Sequence, residues 1–397
     1  MKESLLQKLK RVRIGDIGHL FLFLLALLPA AVLRRRRRHL WLICEYAYEA
    51  QDNGFALFRH LKTAHPEIDA VYAIKRRAKA YETVAALGPT VEYGSFRHWV
   101  YYLAAEVNIS SQKGGKPNAA VCYLFEVRLG WLKNRRVFLQ HGVTKDDLPF
   151  LHEENAKLCL FCCAAQPEYE FVRDTFGYPE GAVRLLGFCR FDALIGAEPD
   201  PDLILILPTW RMWLERACRT TEAFLNSDYY RNWQAFLNDP ALEGLLEQTG
   251  KHAVFCVHRN MMRFETGFTS PSGRIEVKKW DDVSIPSLLK KAAVLVTDFS
   301  SVYMDFAFMQ KPVVYYQFDR DAYRKGHLPT GYFDYERDGF GPVTETANEA
   351  IKALRARLED NCRMERLYAE RAERFFPLRD AESAERTTAA IREIIGE

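Results

Sequence analysis

The sequence lacks a cysteine framework. Its nine cysteines are an odd number without disulfide spacing, and Cys44, Cys256 and the cluster Cys159, Cys162 and Cys163 lie inside apolar runs. This excludes a small disulfide-stapled scaffold and fits buried thiols in a reducing compartment. The Cys159-x-x-Cys162 pair has no second Cys or His pair at metal spacing, so core packing is expected there rather than zinc. The chain also has little excess charge. The net charge is +3, but residues 1–38 carry ten Lys or Arg against Glu3 and Asp16, so that segment is +8 and the remainder −5. Bulk charge therefore excludes a nucleic-acid-binding body. No short-period repeat is present. What is there is globular: 48% apolar and 27% charged residues over 397 positions, enough for two core-forming domains.

The longest apolar run, Leu20 to Leu33, has fourteen residues and contains Pro29. A spanning helix needs ~20 residues, and proline is expected to interrupt this one. Arg34 to Arg38 follow directly. The order of basic and apolar regions partly fits a signal peptide, but arginines right after the apolar core oppose export. A buried core helix would need an unusual partner for the arginine block. The reading that meets both constraints is a monotopic anchor: the apolar stretch enters one leaflet while Lys8 to Arg13 and Arg34 to Arg38 sit on anionic headgroups.

Strand-like and helical patterns alternate along the body. Strands are expected at 39–45, 70–74, 107–110, 137–140, 158–164 and 182–186, with helices at 50–60 and 79–87 and a turn-rich loop at 112–118. Gly196 to Asp202 (GAEPDPD) reads as a linker. A second series follows: strands at 203–207, 253–257, 275–277, 292–297 and 313–316, a helical region at 221–249, and closing helices at 348–371 and 380–395. Such alternation implies two parallel, doubly wound α/β halves.

Ligands of open parallel sheets bind at strand carboxyl ends. Four strand ends carry polar residues that a core would not choose: Gln140-His141-Gly142, Thr209-Trp210-Arg211, His258-Arg259 and Thr297-Asp298-Phe299-Ser300-Ser301. The last group opens a short helix, expected at 302–309 and carrying Asp305. Its serines can cap that helix, and the same free N–H groups can hold a phosphate. Asp305 falls four residues after Ser301, one turn on, where it either orients a ligand or tethers the helix.

In this order, these residues resemble the CDP-glycerol glycerophosphotransferases that build teichoic acids. Further likeness comes from Gly187-Phe188-Cys189-Arg190-Phe191-Asp192, which resembles a G-x-x-R-x-D step, from Asp52-Asn53-Gly54, from Lys311 to Tyr316, and from Asp319, Tyr323 and Gly326. Three positions depart from the family pattern: Gln140 where an aromatic residue is common, Val143-Thr144 where a small residue and Pro follow, and Arg259 where Pro follows the second histidine. They fit a capsule-type polymer enzyme as well as a teichoic acid enzyme.

The resemblance implies a GT-B-like fold of two Rossmann-like domains with a cleft between them, behind an N-terminal membrane-associating segment. The expected boundaries are 1–38 for that segment, 39–195 for the acceptor domain, 196–202 for the linker and 203–397 for the CDP-donor domain with its closing helices. It implies transfer of a polyol phosphate from CDP-glycerol or a similar CDP-polyol, with neither cofactor nor metal. The acceptor is a hydroxyl of a lipid-linked or glycan acceptor, at the cytoplasmic face of an anionic membrane, with no nucleic-acid partner. His141 and His258 are the expected catalytic residues, His141 as the base. Thr209, Trp210, Arg211, Arg259, Thr297, Asp298, Ser300, Ser301 and Asp305 are expected at the donor, and Gln140, Gly142, Arg190 and Asp192 elsewhere in the cleft. The alternative is a sugar-nucleotide glycosyltransferase or epimerase. That enzyme would use an acidic ribose clamp (E-x-x-x-E), which Asp298 and Asp305 only weakly imitate. A non-catalytic scaffold is a third reading, and the presence of both histidines argues against it.

Overall fold

The computed structural model describes residues 13–397 apart from 219, 262–266 and 327–328. Of the expected headgroup contacts, Lys8, Lys10 and Arg11 lie outside the described residues, as does Lys2. The described chain forms two parallel sheets in two compact units. In the first, β1 (Trp41–Cys44), β2 (Ala70–Ile74), β3 (Thr90–Glu92), β4 (Val107–Ser110), β5 (Arg135–Phe138), β6 (Leu160–Cys163) and β7 (Val183–Leu185) take the order 3-2-1-4-5-6-7. In the second, β8 (Asp200–Leu207), β9 (His252–Cys256), β10 (Ile275–Lys278), β11 (Ala292–Thr297), β12 (Val313–Tyr316) and β13 (Val343–Thr344) take the order 10-9-8-11-12-13. Both are doubly wound and GT-B-like. The order reverses between β1 and β4 in one sheet and between β8 and β11 in the other, and such switch points open a crevice at the strand ends.

The strands form where apolar, β-branched runs can be buried on both faces. Every residue of β1, β2, β6, β11 and β12 is buried. Cys162 and Cys163 lie within β6, and all nine cysteines are free.

Several expected boundaries move. The chain leaves the first unit after Asp192, and β8 already begins at Asp200, inside the expected linker. Asp380–Glu397 belongs to the first unit and Gly142–Asp147 to the second. Among the closing helices the boundary moves for the last alone, while the helices Ala347–Glu359 and Arg366–Phe375 stay in the second unit. Its cap shows the tie: Asp192 accepts from the N–H groups of Ser383 and Ala384, both at 2.9 Å, at the start of that helix (Ser383–Ile395). The strand expected at 137–140 runs two residues earlier, since Gln140 has φ 59° and cannot continue it. The region 221–249 is three helices, restarted by caps at Ser227 and Asp239.

Pro29 does not interrupt the N-terminal helix, which is continuous from Ile14 to Arg36. Phe23, Ala26 and Ala30 bury one face of it, with Phe23 stacked on Phe125 at 4.3 Å and edge-on to Trp99 of the helix Phe96–Ala104. This packing outweighs the hydrogen bond lost at proline. By length and composition the helix is long and apolar enough to cross a membrane, with a mean hydropathy of 2.1 in its central window.

Candidate active site

In the first unit the polar strand end beyond β5 is built from inside outward. Gln140 is buried, and its amide donates to the carbonyl of Cys162 (2.8 Å) and to Glu168 (2.9 Å). It is therefore a brace and not a ligand contact. Those two bonds hold a non-glycine residue in the left-handed region, where strain persists only when its surroundings enforce it. Asn53, fully buried, donates to the carbonyls of Gln140 (2.7 Å) and Leu139 (3.2 Å) and accepts from the Arg190 N–H (3.0 Å). Arg190 in turn donates to the His141 carbonyl (3.3 Å) and pairs with Asp52 (3.4 Å). His141 thus projects from a backbone gripped on both sides, while retaining exposed surface itself. Crowding by surrounding protein, followed by the Arg190 cation, pushes its pKa below the ordinary 6.5, and a hydrogen bond with the Ser111 backbone works the other way. At neutral pH the ring is unprotonated and competent to accept a proton.

The G-x-x-R-x-D step now resolves into parts. Arg190 supports His141. Asp192 caps the last helix, and Gly187 (φ 80°) is needed because a Cβ there would lie 2.4 Å from Ser383 Oγ. Asp192 is accordingly a structural residue and not part of a ligand site.

In the second unit the site lies at the switch point. Asp298, fully buried after β11, accepts from the Thr209 N–H (2.7 Å) beyond β8 and from the Phe299 N–H (2.6 Å). Thr297 donates its hydroxyl to the Leu207 carbonyl (2.6 Å). Together these two residues stitch the diverging strands, so both are framework, not phosphate ligands. Arg211 is framework too. Its guanidinium is fully buried, forms a two-pronged bond to Asp319 (2.8 and 2.9 Å), donates to the Thr209 carbonyl (2.8 Å) and pairs with Asp298 (2.8 Å). Tyr229, Phe299 and Tyr323 pack around it at 5.0–5.1 Å, and Phe299 stacks on Tyr323 at 3.8 Å. No donor of Arg211 faces solvent, which corrects the expectation that it contacts the diphosphate. Asp305 is buried within the short helix Tyr303–Phe308.

The frame leaves a different set available. Ser300 and Ser301 do not cap the helix with their hydroxyls: it starts after Val302, and the Ser300 and Ser301 carbonyls accept from Tyr303 (3.4 Å) and Met304 (3.0 Å). Among the described residues neither serine hydroxyl has a partner, and the buried Thr209 Oγ1 has none. Gly142 lies so close to this turn that a Cβ would approach Ser301 Oγ to 3.2 Å. His258, half-buried at the end of β9, lies beside Trp210 (6.3 Å, near-parallel rings) and Trp280 (5.7 Å), and Arg259 is exposed next to it.

Sequence reasoning missed two features. One is Glu45, buried beyond β1, which accepts from the N–H groups of Gln51, Asp52 and Phe55 and sits 2.9 Å from where a Cβ of Gly54 would be. The D-N-G step therefore needs its glycine to admit Glu45. The other is a cavity of about 370 Å³ in the second unit, beside Phe299, lined by Lys145, Arg320, Arg324 and Arg337 as well as Asp146 and Asp334. Only the i, i+4 spacing of Arg320 and Arg324 on the helix Arg320–Gly326 could have hinted at it.

The family model of CDP-glycerol:poly(glycerophosphate) glycerophosphotransferases matches residues 28–393. The chain belongs to this family. It is 29% identical over 373 residues to the minor teichoic acid biosynthesis protein GgaB of Bacillus subtilis (strain 168), covering 90% of this chain and 40% of GgaB. The chain thus spans less than half the length of that relative. The wall teichoic acid polymerase TagF shares the fold, with a TM-score of 0.66 at 14% identity over 96% of this chain and 98% of the other. The S. aureus MnaA–UDP structure is also similar in fold, with a TM-score of 0.57 at 14% identity over 90% and 96% of the two chains.

Proposed function

We propose that this glycerophosphotransferase-family chain transfers a polyol phosphate, glycerol phosphate in the first instance, from a CDP-activated donor to an acceptor hydroxyl, releasing CMP during synthesis of a teichoic acid or capsule-type surface polymer. The observation that carries this reading is the set of unpartnered hydroxyls at the second switch point, Thr209, Ser300 and Ser301, on a frame whose own charges are internally satisfied. A donor diphosphate needs such neutral donors where charge develops. In the reaction the acceptor oxygen attacks the phosphorus bearing the polyol, its proton passes to His141, and the bond to the cytidylate phosphate breaks so that CMP leaves with the electron pair. Arg259 supplies positive charge to the leaving group, His258 a ring N–H, its Nδ1 being occupied by the Asn260 N–H, and Trp210 a face for the cytosine. This reading assigns no step to a metal ion. The buried Asp298 and Asp305 do not make the ribose clamp that a sugar-nucleotide enzyme would carry.

The test is a donor panel of radiolabelled CDP-glycerol, CDP-ribitol and UDP-sugars with a lipid-linked or glycan acceptor. CMP release from a CDP-polyol is expected. UMP or UDP release without CMP would overturn the reading in favour of the sugar-nucleotide alternative.

The N-terminal helix supports an acceptor met at a membrane surface. Its unburied face presents Phe21, Leu24, Leu25 and Leu28, which are 49–77% exposed, and ends in Arg34, Arg35 and Arg36. Arg34 is anchored to the Leu103 and Ala104 carbonyls and Arg37 to Asp69, so the helix is fixed along the first unit while its outer face stays free. This arrangement supports a monotopic seat on anionic lipid at the cytoplasmic face. Cosedimentation with phosphatidylglycerol vesicles is expected, weakening with salt. Leu25→Ser/Leu28→Ser should lower the bound fraction at least tenfold, because each residue forfeits burial of apolar surface in the bilayer. Equal binding of the variant would remove the helix from this role.

A further inference from the structure

Three potential metal ligands converge on the first unit, and none of them has a part in the transfer reaction above. His60 lies in the helix Asn53–Ala64, His65 caps that helix, and Glu385 is in the first turn of the last helix. Their ligand atoms all lie within 4.8 Å of one another: His65 Nε2 is 2.7 Å and His60 Nε2 3.0 Å from the same oxygen, Glu385 Oε2. The two imidazole rings are 5.4 Å apart and inclined at 60°, so they point at one spot without stacking.

His65 gives a second observation. Its other nitrogen, Nδ1, is 3.4 Å from Glu67 Oε1, and Glu67 is itself held by Arg392 at 2.6 Å. Nδ1 thus faces one carboxylate while Nε2 faces the other, the arrangement of a carboxylate–histidine–metal relay in which the outer carboxylate orients the ring. Zinc binds imidazole nitrogen and carboxylate oxygen at ~2.0–2.2 Å, so tetrahedral ligands stand ~3.3 Å apart, and shifts of about 1 Å would bring the three ligand atoms, all within 4.8 Å of one another, to that spacing.

We propose that His60, His65 and Glu385 form a zinc site, with water at the exposed fourth position beside Glu385. The site links two helices separated by 320 residues in the chain and clamps the returning C-terminal helix onto the first unit. Its role is structural, and it stands independently of the transfer reaction, which needs no metal in the reading above.

The experiment uses the full chain stripped by a chelator. Zinc is titrated against a chromophoric competitor, and cobalt is added as a spectroscopic probe. One equivalent of tight zinc is expected, with visible cobalt bands of a four-coordinate N/O site and no thiolate charge-transfer band. The nine cysteines are a competing sink, and the double variant His60→Gln/His65→Gln keeps all of them. That variant and Glu385→Gln should lose the tight equivalent, and Glu67→Gln should weaken it ~10-fold or more by releasing the far nitrogen of His65. Far-UV circular dichroism and unchanged CMP release show that the variants fold. Equal zinc binding by wild type and the double variant overturns the proposal. So does the absence of tight binding to wild type.

Discussion

His141→Ala lowers CMP release by ~10²–10⁴-fold, the usual span for loss of a positioned general base. The residue is held by its own backbone: Asn53 grips the carbonyl before it, Arg190 the carbonyl of His141 itself, and neither occupies the ring. The alanine variant should therefore keep its stability and donor affinity while kcat falls. The pH profile gives a second, independent reading. A base must be unprotonated to act, and the pKa of His141 is depressed, first by crowding and then by Arg190. Wild-type activity should hold as pH falls to 6.5 and be lost only below it, with a slope of one proton. Arg190→Gln removes one of the depressing charges, so its acidic limb should move to higher pH. Full CMP release by His141→Ala would discard the base assignment, and a limb unmoved in Arg190→Gln would discard the electrostatic coupling.

Arg211→Met destabilises the protein by ~3–5 kcal/mol, the cost of leaving buried carboxylates without their cation. Asp298 is fully buried and Asp319 nearly so, and Arg211 joins both while bonding the Thr209 carbonyl. Removing it leaves two acids facing each other inside a ring of aromatic side chains. Equilibrium urea denaturation measures the effect as a lower midpoint at similar slope. Arg211→Lys should recover only part of the loss, since an ammonium cannot reproduce the two-pronged bond to Asp319. A loss below 1 kcal/mol in Arg211→Met would show that the triad is not the brace described here. Ser301→Ala gives the contrast: its hydroxyl has no partner among the described residues, so stability should hold while KM for the CDP-polyol rises.

Much of the architecture is legible in the sequence. Runs such as Trp41 to Cys44, Leu203 to Leu207 and Ala292 to Thr297 can only be satisfied by burial on both faces, and the turn residues behind them mark strand ends. Both are local properties, carried by neighbours within a few positions. The short edge strands β3 and β13 were missed because three and two residues carry no periodicity. The helix through Pro29 was misjudged because its compensation comes from Phe125 and Trp99, far away in the chain.

The candidate site divides along the same line. The sequence by itself determined that polar side chains cluster at His141, Thr209, His258 and Ser300, since strand alternation and turn chemistry place them at carboxyl ends. Only the tertiary structure decided which of them are free. Arg211 is claimed by Asp319 across 108 residues, Asp298 by Thr209 across 89, and Asp192 by Ser383 across 191. A hydrogen bond satisfies a polar group whatever its distance along the chain, so spacing alone cannot separate a braced residue from one left open to a ligand. Packing consumed Arg211, Asp298, Thr297 and Asp192, and left Ser300, Ser301, Thr209 and the His141 nitrogen that does not bond the Ser111 backbone.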